Sequence, residues 1–239
     1  MRVRAVNSGI DMQFGGMALL GLVVAAGSLV SPRVATAASL DIAAVPPAVR
    51  LSEPAAALTA DARYVAEWAL QSNDNQHRPF AVVDKKAARI YVFDAEGRVV
   101  GAANALLGQA PGDHSVPGVG DGDVNRIPLA DRTTPAGRFA SEPGRNLSGE
   151  AIVWFDYNAA LAIHRVRPGA SQVQRLERLA SGTPSDNRAS LGCVVVMPEF
   201  YDGVVQPTLG QHRGVVYVLP ESQPVQAVFG APQPVAQQR

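Results

Sequence analysis

The chain of 239 residues has one cysteine, Cys193, and four scattered histidines, His77, His114, His164 and His212. A disulfide within the chain is therefore excluded, and so is a cysteine-rich zinc site. Net charge is missing as well: 21 basic residues balance 21 acidic ones. No basic block points to nucleic acid, and no acidic tail points to a solvating segment. There is no P-loop and no dinucleotide-binding glycine fingerprint. The apolar stretch from Met17 to Val30 is broken by Gly21, Gly27 and Ser28. It falls short of the roughly 20 residues that a bilayer span needs. Asp121-Gly122-Asp123 has the opening of a calcium loop without its downstream glutamate, and reads as a polar turn.

What is present begins with an export pattern. Arg2 and Arg4 precede the apolar stretch, and Ala35-Thr36-Ala37 supplies a small-x-small cleavage site. Residues 1–37 read as a secretory signal cut before Ala38; an uncleaved N-terminal anchor is the alternative. After cleavage no stable membrane span is expected, and the mature chain is periplasmic or secreted. Residues 38–57, rich in Ala and Pro, read as a linker. Oxidising compartments favour paired cysteines. A single one there is a packed core residue, a link to another chain, or a reactive thiol.

The body of the chain reads mainly as strands. Thr59 to Ser72 is a helix with Thr59 as N-cap, within an N-terminal helical segment over 58–78. Phe80 to Val83, Ala88 to Asp94 and Arg98 to Val100 are short β-branched or aromatic runs that form a hairpin around Ala95-Glu96-Gly97. Gly108 to Arg132 is a long Gly/Pro/Asp loop of the kind that carries function or moves. Ala151 to Phe155, Ala159 to His164, Val194 to Met197 and Gly214 to Leu219 are further strands. Ser171 to Ala180 is a short helix capped by Ser171, with Val173, Leu176 and Leu179 on one side, and Pro198 to Val205 is another. Trp154 and Phe155 are expected to pack in the interior. The chemistry-bearing domain spans 79–220, and 221–239 reads as a loose tail. The fold class is mainly β: a β-sandwich of mixed strands with a few flanking helices.

Attack of sulfur on an acyl carbon needs a thiolate or a thiol with a base, and N–H donors for the oxyanion. Cys193 sits in Ser190-Leu191-Gly192-Cys193-Val194, where the glycine permits a tight backbone and the N–H groups of 191–193 offer an oxyanion pocket. His164 ends an apolar strand, where loops and sites begin. An imidazolium there would raise the thiolate fraction, only about 3% for a free thiol at neutral pH. Taken alone, Cys193 also fits an inert core position and His164 a structural one.

Three elements together resemble the L,D-transpeptidase catalytic (YkuD-like) family. Thr134-Pro135-Ala136-Gly137-Arg138-Phe139 is similar to its Thr-Pro-x-Gly-x-Phe element. Ala162-Ile163-His164 resembles its strand-borne catalytic histidine, and Ser190 to Val194 resembles its Ser-His-Gly-Cys-Ile/Val motif. The resemblance covers roughly residues 80–220 and implies the L,D-transpeptidase-like catalytic fold. It implies a cell-wall-associated enzyme whose partners are peptidoglycan stem peptides. Cys193 would be the nucleophile, forming a thioester as D-Ala leaves, and His164 the base. Gly192 and its neighbours would form the oxyanion pocket, and Ser190 would shape the loop. Carbapenems acylate the family's cysteine. Neither metal nor organic cofactor is implied. The resemblance leaves the acceptor open between an amine, giving a cross-link, and water, giving an L,D-carboxypeptidase. A non-catalytic wall-binding module on the same scaffold is the third reading.

Two positions depart from the family pattern: Leu191 stands where the motif has a second histidine, and Val195 where it has Arg or Asn. The 29 positions from His164 to Cys193 exceed the usual gap, so the stretch with the Ser171–Ala180 helix and Gly182 to Arg188 reads as an insertion over the site. Arg188 and Leu191 are the substrate-binding candidates, Arg188 because a guanidinium holds a carboxylate through two hydrogen bonds.

Overall fold

A computed structural model describes residues 58–123 and 126–230. The expected signal (1–37), the expected linker (38–57) and the end of the expected tail (231–239) lie outside the described residues. The elements are α1 (Ala60–Gln71), β1 (Phe80–Asp84), β2 (Arg89–Phe93), β3 (Val99–Asn104), β4 (Leu107–Gly108), β5 (Gly137–Arg145), β6 (Ala151–Asp156), β7 (Leu161–Arg165), α2 (Gln172–Ala180), β8 (Arg188–Ser190), β9 (Val194–Val196), α3 (Pro198–Phe200), β10 (Gly214–Val218) and α4 (Val225–Phe229). The fold is mainly β, as expected: eight strands run in the order β3-β2-β1-β10-β5-β6-β7-β9, and β4 pairs with β8 apart from them.

Most pairings are antiparallel, but β1 runs parallel to β10 and β7 parallel to β9. The expected hairpin around Ala95-Glu96-Gly97 forms between β2 and β3, and on its other side β2 pairs with β1, with Phe80 opposite Phe93 and their rings stacked at 4.5 Å. β5 joins the two halves of the sheet. Its residues Gly137 to Ser141 pair with β10, and Glu142 to Arg145 pair with β6. Pro143, which has no N–H to donate, lies opposite Val153 in the half that pairs with β6.

The two halves fold toward each other over one core. From the first half it takes Val83, Ile90 and Val216; from the second it takes Val153, Ile163 and Val194. Phe200, Tyr201 and Val204 of α3 and the π-helical turn Tyr201–Val205 that continues it fill one side. That is the sandwich the strand pattern predicts. The alternate residues of β1, β2 and β10, including Phe80, Tyr91 and Tyr217, face a second core under α1 and α4. Burial on both faces explains the uninterrupted apolar runs of β1 and β10.

Thr59 caps α1 as expected, its hydroxyl accepting from the Ala62 N–H at 3.2 Å and donating to Asp84 at 2.6 Å. Ser171 makes no side-chain cap on α2, and Val173 is 68% exposed, so Leu176 and Leu179 alone form the packed side of that helix. Residues 221–230, read from sequence as the start of a loose tail, are ordered by packing. Phe229 lies 5.7 Å from the Trp68 ring and 6.0 Å from that of Tyr217, and the Tyr64 hydroxyl donates to the Gly230 carbonyl at 2.7 Å. Phe155 packs in the first core as expected, while Trp154 lies partly exposed against Tyr157, ring centroids 5.1 Å apart. Among the described residues no helix is long and apolar enough to cross a membrane.

Candidate functional site

Cys193 and His164 share one face of the β7–β9 pair. Ile163 lies opposite Val194 and His164 opposite Val195. Ile163 and Val194 point into the central core, so by the two-residue period His164, Val195 and Cys193 point the other way. Cys193 and Val195 pack there with Leu106, Val166, Leu176 and Leu179.

The His164 ring is anchored at Nδ1, which lies 2.8 Å from the carbonyl of Arg165. A carbonyl only accepts, so Nδ1 carries the proton and Nε2 is the unprotonated nitrogen. Burial holds His164 down to about 4, against which the Arg165 carbonyl works; Arg167 and Arg175 push the same way as burial. The Cys193 thiol donates to the Ala160 carbonyl at 3.6 Å. Burial pushes that thiol up, opposed by the Ala162 backbone and the Arg167 guanidinium. Burial thus disfavours the charged form of each side chain, although Cys193 is only partly buried by surface area, and the resting ring is the neutral imidazole that a base requires.

The corner that carries the sulfur is held by two hydroxyls. Ser190 Oγ donates to the Cys193 carbonyl at 2.6 Å and accepts from the Gly192 N–H at 3.1 Å. Thr134 Oγ1 donates to the Gly192 carbonyl at 2.8 Å and accepts from the Gly108 N–H at 2.9 Å. Gly192 has φ +131°, and a Cβ there would stand 2.8 Å from both the Thr133 carbonyl oxygen and Leu161 Cδ2. Only glycine fits on both counts. Of the three N–H groups expected to form an oxyanion pocket, that of Gly192 is occupied by Ser190, leaving those of Leu191 and Cys193.

The remaining candidates lie around this corner. Leu191 is half-buried in the turn between β8 and β9. Arg188 Nη2 is paired with Glu221 and reaches the Lys85 carbonyl at 3.3 Å, while its Nη1 is buried without a partner. The carboxylate that Arg188 holds is thus one of the chain's own. Val195 is 2% exposed beneath Leu179. A polar side chain there would be buried without partners, which accounts for valine at that position. The stretch containing α2 does cover this face, pinned by Asn104, whose amide donates to the Leu179 and Ser181 carbonyls.

The long loop packs on the turn that receives the thiol. A Cβ on Gly120 would lie 2.2 Å from the Asn158 carbonyl oxygen. Between loop and turn is an open polar cleft of about 370 Å³, lined by Ser115, Val116, Asp121, Asp156, Asn158 and Ala159. Ala159 adjoins the Ala160 whose carbonyl accepts from Cys193. His114 is exposed on the same loop. Among the described residues no group of three or more His, Cys, Asp or Glu side chains is arranged to hold a metal ion.

Sequence reasoning missed Lys85 and Asp113. Both side chains are fully buried, and they pair at 2.7 Å. Lys85 also donates to the carbonyls of Gly112 and Thr134. Only a lysine directly after the strand Phe80–Asp84 hinted at it. Thr134 was visible as part of a motif, but the motif gave no sign that its hydroxyl ties Gly108 to Gly192.

No protein-family model matches the chain, and no curated protein matches it. Several solved structures are similar in part. An L,D-transpeptidase from Xylanimonas cellulosilytica matches with 19% identity and TM-score 0.36, covering 59% of this chain and 60% of that one. The helical cell shape determining protein Pgp2 from Campylobacter jejuni matches with 14% identity and TM-score 0.40, over 64% and 52%. The catalytic domain of an E. faecium L,D-transpeptidase matches with 18% identity and TM-score 0.33, over 60% and 98%. The match thus spans only part of the first two structures. Likeness at this level does not establish a family for the chain.

Proposed function

We propose that the chain is an exported cysteine acyl-transferase of peptidoglycan stem peptides, with Cys193 as nucleophile and His164 as base. The observation that carries this reading is the anchored ring. With Nδ1 donating to the Arg165 carbonyl, Nε2 is the nitrogen that carries the lone pair. A neutral imidazole is the form that can take a proton, and its low proton affinity in the resting state keeps it in that form at neutral pH.

In the proposed reaction Nε2 takes the thiol proton as sulfur bonds to the carbonyl carbon of the third stem residue. The carbon–nitrogen bond to the terminal D-Ala then breaks, and the imidazolium returns its proton to the leaving amine. The product is a thioester on Cys193. An incoming amine, deprotonated by His164, displaces the sulfur to give a cross-link and restores the thiol. The developing oxyanion is assigned to the N–H groups of Leu191 and Cys193. Substrate approaches through the polar cleft beside the Tyr157–Ala160 turn. Arg188 is proposed to contact the substrate through Nη1, the donor that lacks a partner. The site of action is the wall, outside the cytoplasm.

With water as acceptor the same site is an L,D-carboxypeptidase. The packing of Cys193 beside Val195 and Leu176 favours one further reading, a non-catalytic wall-binding module in which the thiol is inert. Mass spectrometry of stem tetrapeptides after incubation separates the three. Cross-linked dimers identify a transferase, and tripeptides alone a hydrolase. Unchanged peptides, with a thiol protected until the chain unfolds, identify the module.

A further inference from the structure

The buried ions converge on the two hydroxyls that hold the Cys193 corner. All three Lys85 ammonium protons are engaged, on Gly112 O, Asp113 Oδ1 and Thr134 O. Asp113 in turn accepts from the backbone N–H groups of Glu221 and Ser222, at 2.8 and 2.9 Å, and from the Ser222 hydroxyl. Glu221 accepts from the Gly112 N–H at 2.7 Å and pairs with Arg188, two residues before Ser190. One arm thus ends at Thr134, which donates to the Gly192 carbonyl; the other leads into Ser190, which donates to the Cys193 carbonyl.

The Gly192 carbonyl and the Cys193 N–H belong to one planar peptide unit and point in opposite directions. Whatever fixes the carbonyl therefore aims the N–H. A fully buried ion pair is weak as a source of stability, since apolar replacements of similar volume often serve as well. Its effect here is directional: a tetrahedral ammonium, saturated on three fixed oxygens, sets where the Thr134 backbone and hence its hydroxyl stand.

We propose that Lys85 and Asp113 are positioning residues for the oxyanion donor, acting through the Thr134 hydroxyl on the Gly192–Cys193 peptide. This rests on the reading of Cys193 as an acylated nucleophile. It goes beyond that reading by naming what aims the donor.

The test uses the chain's acylation by a carbapenem, followed by intact mass, with the maximal rate constant separated from half-saturation. Loss of one oxyanion donor costs about 10²–10³ in rate, and misaiming costs part of that. Thr134→Val is expected to lower the maximal rate constant at least about tenfold, with half-saturation little changed, while Thr134→Ser retains the wild-type rate. Lys85→Met combined with Asp113→Leu removes both charges and is expected to reproduce the Thr134→Val loss. Adding Thr134→Val to that pair slows acylation no further, because both act on one peptide. Should the charge-free pair fail to fold, Asp113→Asn takes its place with the same direction of effect. Folded variants that acylate at the wild-type rate overturn the proposal while leaving the nucleophile assignment intact. A wild-type chain that forms no adduct overturns both.

Discussion

Lowering the pH should destabilise the folded chain through one residue, His164. The ring is 7% exposed, and its neutral form is favoured by burial, which takes its pKa from 6.5 to about 4. Unfolded chains therefore bind a proton that folded chains refuse between those values, and stability rises with pH across that window. It is fully present above pH 6.5 and is lost as pH falls toward 4. At about 1.4 kcal/mol per pH unit of separation, the loss is on the order of 3 kcal/mol. The facing charges, Glu150 on one side and Arg167 and Arg175 on the other, partly cancel. Asp113, held well below the usual carboxylate range despite its burial by Lys85 and Ser222, adds its own loss only at more acid pH. Urea unfolding at pH 7 and pH 4.5 reads the difference. His164→Gln keeps a donor for the Arg165 carbonyl and has no proton to gain, so the pH-dependent loss should largely vanish in that variant. Equal losses in wild type and His164→Gln would refute the reasoning, because the neutral, anchored ring would not be the state that folds.

Other expectations follow from the same geometry. A neutral thiol predicts no ultraviolet thiolate band at pH 7 in the difference spectrum of wild type against Cys193→Ala, with the band growing only above the ordinary range of a cysteine thiol. Gly192→Ala forces a positive φ and a Cβ against the Thr133 carbonyl; it should cost about 1–3 kcal/mol in denaturant unfolding and abolish acylation. Phe229→Ala should cost about 3 kcal/mol, because the ring, 3% exposed, closes the second core against Trp68 and Tyr217; a tail residue without contacts would show no change.

Local chemistry was legible in the sequence wherever neighbours along the chain decide it. Thr59 caps the helix it precedes, and the apolar run at Phe80–Asp84 and the β-branched and aromatic run at Arg89–Phe93 give two strands. The Ser190 to Val194 motif marks a tight corner, and a glycine at φ +131° stands in it. β5 was not legible: Ser141-Glu142-Pro143-Gly144 has loop chemistry, and only its position between β10 and β6 makes it a strand. α4 was hidden for a similar reason, since Pro, Gln and Ala surround two residues whose burial depends on distant Trp68 and Tyr217. Lys85 and Asp113 are 28 positions apart and meet only after folding.

The most direct test is intact mass spectrometry of the folded chain after brief incubation with a stem tetrapeptide. The account predicts an acyl adduct of tripeptide mass on Cys193, formed with loss of D-Ala and absent from Cys193→Ala. A folded wild-type chain that never acquires the adduct, or a Cys193→Ala chain that does, would contradict it.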